Sequence, residues 1–176
     1  MKTHHIPFIT LLAGASLFLF GCGPKESASD NTAAATPATA ATAPADDASG
    51  VKTVAITGGD NMKFNLTQIT AAPGQEIKLT LTNVGTQPKT AMGHNWVLLK
   101  KDADVAAFDK ASLQAKATDY IPADKKDEII AHTKLLGAKE SDTITFKAPT
   151  EPGDYPYLCS FPAHYQVGMK GILTVR

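Results

Sequence analysis

Near the end of this 176-residue chain, Cys159, His164 and Met169 fall at equal steps, with four residues between each pair. A thiolate, an imidazole and a thioether on one short loop are ligands soft enough for copper. Neither Asp nor Glu lies between Cys159 and Met169, which argues against a hard-cation site built from oxygen. A mononuclear site of the blue type needs a second imidazole. His94, within Met92-Gly-His-Asn-Trp-Val97 and 65 positions before Cys159, supplies one. The expected arrangement is a trigonal plane of His94, Cys159 and His164 with Met169 as a weak axial ligand. The Gly93 carbonyl is expected to approach from the other side, where a missing Cβ helps. Of the remaining candidates, Trp96 reads as core and His132 as an ordinary, partly exposed side chain.

A rigid frame must bring position 94 to position 159, and the sequence between residues 51 and 176 reads as strands. Val54 and Ile56 alternate with polar neighbours, as do Ile77, Leu79 and Leu81, and again Ile144 and Phe146. That period of two marks strands with one face buried. Pro73-Gly74 and Pro152-Gly153 punctuate them as turns. One stretch, Ala103 to Ala117, breaks the rhythm with Val105, Phe108 and Leu113 at helical spacing. The expectation is an all-β Greek-key sandwich or barrel with one short helical insertion. In such a fold, residues far apart in sequence readily become neighbours.

The front of the chain reads as an address. Lys2, a dozen apolar residues from Ile9 to Phe20 and then Gly21-Cys22 form a signal peptide over residues 1–21. The apolar run is shorter than the roughly 20 residues of a spanning helix. Leu19-Phe20-Gly21-Cys22 resembles a bacterial lipobox, although Phe20 departs from the small residue usual there. It implies a lipid on Cys22, which would hold the protein at a membrane surface. It would also consume that thiol, so Cys159 is left without a disulfide partner. Residues 23–50 contain 20 Ala, Thr, Pro or Ser among 28, too few apolar groups to fold, and read as a tether. The formal charge is zero, and −1 once Lys2 leaves with the signal peptide, which excludes nucleic acid as a partner.

Four segments carry a resemblance to a known family. Met92-Gly-His-Asn-Trp-Val-Leu98, Ile130-Ala-His-Thr-Lys-Leu135, Cys159-Ser-Phe-Pro-Ala-His164 and Met169-Lys-Gly171 resemble the cupredoxins, and within them azurin, in order and spacing. Asn61-Met-Lys-Phe-Asn65 is a weaker match. The resemblance implies a single type 1 copper held by His94, Cys159, His164 and Met169, with the Gly93 carbonyl as a distant fifth contact. It also implies that the backbone N–H groups of Asn95 and Phe161 donate to the Cys159 sulfur. There are three departures. The loop has four residues between His164 and Met169 where azurin has three, and in this it is similar to auracyanin. The longer loop can draw copper toward Met169 and away from Gly93. The N-terminal disulfide of azurin is missing, and Ala163 stands where a glycine is usual.

The implied function is a membrane-tethered carrier of single electrons, not an enzyme. Its expected partners are redox proteins such as c-type cytochromes or a terminal reductase or oxidase. Electrons would pass through His164, ringed by Met62, Met92, Phe161, Pro162, Ala163 and Val167 as a docking patch. The expected state is a monomer, exported and anchored at the periplasmic face or cell surface. Copper nitrite reduction needs a second, histidine-rich copper and a second domain, and between residues 51 and 176 only His132 is spare. A dinuclear copper loop needs a second cysteine where Ala163 stands. A Cys-His hydrolase needs an orienting third group that is missing. A periplasmic copper buffer or chaperone using the same ligands remains as the alternative.

Overall fold

In the computed structural model, the described residues are 45, 46 and 50–176. The signal segment, Cys22 and most of the tether lie outside them. Among the described residues nine strands form two sheets: β1 Ala45–Asp46, β2 Lys52–Gly58, β3 Gln68–Ala71, β4 Glu76–Asn83, β5 Val97–Leu99, β6 Ile129–His132, β7 Ser141–Lys147, β8 Gly153–Leu158 and β9 Lys170–Val175. One sheet has the order β1-β2-β4-β7, the other β3-β9-β8-β5-β6. β2 runs parallel to β4 and β3 parallel to β9, and the other pairs are antiparallel. Strand β3 leaves the first sheet for the second and β4 returns, as the long connections of a Greek-key sandwich require. β1 extends the first sheet into the Ala-Thr-Pro-rich stretch.

The alternating residues do what period two requires. Val54, Ile56, Ile77, Leu79 and Leu81 are buried between the sheets, while Ile144 and Phe146 on β7 are half-buried at the margin. Trp96 lies fully within this core, its ring 5.7 Å from Phe146 and 5.4 Å from Tyr157. Pro73-Gly74 makes the expected turn, with Gly74 at φ +71° and Gln75 N–H donating to the Ala72 carbonyl.

β5 is buried on both faces, so alternation is lost there. Trp96 and Leu98 face the sandwich, while Val97 and Leu99 join Phe108, Ile121 and Leu158 in a second cluster. The helical insertion covers that face: α2, Val105–Ser112, buries Phe108, and Asp104 caps it by accepting from the Ala107 N–H. Beyond the single insertion expected, a one-turn helix α1, Lys89–Met92, precedes the first histidine, and two 3-10 turns follow α2. α1 is too short to be visible as periodicity.

Candidate metal centre

The β5–β8 pairing assembles the site. Val97 pairs with Leu158 and Leu98 with Tyr157, antiparallel. Carried three residues further, this register sets residue 94 level with 161. His94 just before β5 and Cys159 just after β8 therefore meet at the same end of the sandwich. His94 is pinned by two backbone hydrogen bonds to Leu136. Gly93 beside it has no room for a side chain, since a Cβ would lie 2.8 Å from the Lys89 carbonyl and 3.1 Å from Leu135. Close packing against α1 thus accounts for glycine at this position.

The loop after β8 is knitted by its own backbone. Cys159 N–H donates to the Met169 carbonyl, Met169 N–H to His164, Val167 N–H to Ala163 and Gly168 N–H to Tyr165. This folding brings three ligand atoms together: Cys159 Sγ lies 3.4 Å from His164 Nδ1 and 4.0 Å from His94 Nδ1, and the two Nδ1 atoms are 3.2 Å apart. A triangle with those edges has a circumscribed radius of about 2.1 Å, close to ordinary bond lengths from nitrogen and sulfur to a transition metal. The residues fit a metal ion at that point. Among the described residues, no other group of three His, Cys, Asp or Glu side chains converges in this way.

Met169 is fully buried, with its methyl end against Gly58. A Cβ at Gly58 would lie 2.5 Å from Met169 Cε and 3.4 Å from the His94 ring. Gly58 therefore leaves the space in which the thioether and the first imidazole meet. Nothing in the sequence pattern around Gly58 pointed to the site, because only the folded chain brings β2 over the ligand loop.

Burial sets the protonation of the metal-free site. Desolvation pushes the Cys159 thiol up to about 12, with the N–H groups of Asn95 and Phe161 acting in the opposite direction, toward the thiolate. His164 falls to about 4 through burial and the proximity of His94, and burial lowers His94 as well. The Gly59 carbonyl partly offsets the fall at His94, although His94 Nε2 has no partner at full hydrogen-bond geometry. At neutral pH both imidazoles are uncharged, so their lone pairs are free for a metal, and only the thiol must lose a proton.

Asn95 joins the two ligand segments. Its Oδ1 accepts from the Ser160 N–H at 2.8 Å and its Nδ2 donates to Ser160 Oγ at 2.8 Å, all of it buried. Ser160, next to Cys159 in a motif already singled out, acquires its role only through this contact.

His164 is only 2% exposed. Phe161, itself 7% exposed, packs against it at 4.8 Å between ring centroids, with Tyr120 at 5.0 Å beyond. Phe161 is thus a wall of the site rather than an exposed rim. Met62, Met92 and Pro162 are half-buried, Ala163 is exposed, and Val167 is 44% exposed. His132 is exposed, with Nδ1 3.0 Å from the Thr133 carbonyl, and stands apart from the ligands.

Residues 51–176 match the model of the copper binding proteins of the plastocyanin/azurin family. The chain is 36% identical over 127 residues to Azurin-1 of Alcaligenes xylosoxydans xylosoxydans, covering 69% of this chain and 95% of that protein. It is 39% identical over 118 residues to outer membrane protein H.8 of Neisseria gonorrhoeae, covering 66% of this chain and 63% of the relative. Among solved structures it is similar to reduced auracyanin from Roseiflexus castenholzii, with a TM-score of 0.63 and 43% identity, covering 70% of this chain and 96% of that one.

Proposed function

Because the chain belongs to the plastocyanin/azurin family of copper-binding proteins, we propose that it is a blue copper protein that carries single electrons between redox partners. The observation that carries this reading is the convergence of His94 Nδ1, Cys159 Sγ and His164 Nδ1 on one metal-sized point beside the buried Met169. His94, Cys159, His164 and Met169 would hold one copper, and the Gly93 carbonyl is the remaining candidate contact. Copper supplies a one-electron couple at a position enclosed by protein. The chain's own residues do the rest. The Asn95–Ser160 link holds the two ligand segments together, and the loop's backbone bonds hold His164 relative to Met169. Burial keeps water from the ligand atoms, so little rearrangement accompanies a change of charge.

The exposed Val167, with Ala163, Pro162, Met62 and Met92, forms the surface through which a partner would approach His164, and c-type cytochromes or a terminal oxidase or reductase suit it. Weak, small contacts suffice for such encounters. We place the head outside the cytoplasmic membrane, tethered through a lipid on Cys22 by the linker that follows. The likeness to an outer membrane protein supports that placement. Among the described residues no helix is long and apolar enough to cross a membrane.

The test is a visible spectrum of the copper-loaded protein with reduction by a one-electron donor. Intense blue colour, a narrow copper hyperfine splitting and rapid, reversible bleaching are expected, and Cys159→Ser should abolish the colour. A colourless copper-loaded protein would end the reading. Slow reduction with ready transfer of copper to an acceptor would favour a copper buffer or chaperone instead.

A further inference from the structure

Helix α2 buries a carboxylate that no ion pair explains. Asp109 is 4% exposed on the inner face of the helix, beside Phe108 and Ser112. Its Oδ2 accepts from Gln166 Nε2 at 3.1 Å, and its Oδ1 is buried without a hydrogen-bond partner among the described residues. None of the salt bridges among those residues includes Asp109. A carboxylate taken out of water with one amide donor costs the fold stability, where an apolar side chain of similar size would not.

Both directions in which this carboxylate acts lead to the metal centre. Gln166 lies midway in the loop between His164 and Met169, so the Asp109 contact fastens that loop to α2. On the other side, Lys63 Nζ donates to the Val167 carbonyl of the same loop. The carboxylate itself is buried at its contact with Gln166, two residues beyond His164, so its charge sits against the ligand loop in the protein interior.

We propose that Asp109 is a positioning and charge-tuning residue of the copper site: through Gln166 it holds the His164–Met169 loop, and its charge favours the more oxidised metal. The proposal rests on the reading of the site as a copper centre. The sign follows from Coulomb's law, since a fixed negative charge in a low-dielectric interior stabilises the state with more positive charge.

Two variants separate the two roles. Asp109→Asn keeps an oxygen to accept from Gln166 and removes the charge. It should stay blue, and its equilibrium with a one-electron couple should shift severalfold toward the reduced form. Gln166→Leu removes the tether and leaves the charge. In the metal-free protein the amides of Val167 and Gly168 should then exchange with deuterium about tenfold faster or more. An unchanged redox equilibrium in Asp109→Asn overturns the charge role, and unchanged exchange in Gln166→Leu overturns the tether. The exchange measurement needs no copper. A wild-type protein that fails to turn blue would therefore sink the copper reading and the charge role, while the tether would still be decided.

Discussion

Asn95 and Ser160 are each other's principal partners, although 65 residues separate them, with the Ser160 N–H and hydroxyl both on the Asn95 amide. Each stands next to a proposed copper ligand, so this one contact couples the segment leading into β5, which carries His94, to the loop that carries Cys159. Asn95→Leu leaves the buried Ser160 N–H unsatisfied and should lower the stability of the metal-free protein by about 2–3 kcal/mol. Ser160→Ala should cost about 1 kcal/mol. Because both remove the same link, the double variant should lose less than the sum, a comparison that urea denaturation can make. Additive losses would show that the two residues act separately.

Gly58 offers a steric test of the axial ligand. A methyl there would meet Met169 Cε at 2.5 Å, and the flexible thioether must move aside. Gly58→Ala should remain blue and raise the reduction potential in the same direction as Met169→Leu, by a smaller amount. A potential equal to that of the wild type would mean that the thioether does not tune the metal.

Ala163 adopts φ +70°, a left-handed conformation that a Cβ disfavours. Its place before His164 makes that strain part of the loop geometry. Ala163→Gly should relieve it and stabilise the protein by up to about 1 kcal/mol, with the blue spectrum unchanged. Thermal or urea unfolding measures the gain, and a loss of stability would contradict the strain.

The pH dependence of the metal-free protein follows from burial. His164 titrates near 4 in the folded chain and near 6.5 in the unfolded one. As pH falls through that window the unfolded chain takes up protons that folded His164 refuses, so stability should fall. Cys159 has the opposite sense: its thiol rises from 9.0 to about 12 on folding, so stability should decline as pH climbs above 9. Urea midpoints should therefore form a plateau between these limits. At pH 7, copper uptake should release one proton per ion, from the thiol, and a pH-stat measures it. Release of two would mean that one imidazole is charged before the metal arrives.

Val167 is the exposed large apolar side chain of the ligand loop. Val167→Asp should slow electron exchange with a redox partner while leaving the copper spectrum intact. Equal exchange rates in the two proteins would remove this side chain from the docking surface.

Much of this was legible in one dimension. Val54, Ile56, Ile77, Leu79 and Leu81 announced their strands because a half-buried strand must alternate, and alternation is a local property. Cys159, His164 and Met169 announced soft-metal chemistry because ligand type and loop spacing are also local. The need of such a site for a second imidazole pointed to His94, and the family likeness of the Met92–Leu98 segment strengthened that choice. The helical insertion was visible in outline, and its one-turn companion α1 was not, since four residues carry no period.

The folded chain alone decided the rest. That His94 faces Cys159 depends on the β5–β8 register, which no spacing encodes. The void at Gly58, the burial of Asp109 against Gln166 and the inward turn of Phe161 arise where β2, α2 and the ligand loop close on one another. Such contacts come from packing between segments distant in sequence, and close packing has no periodic trace in the chain that produces it.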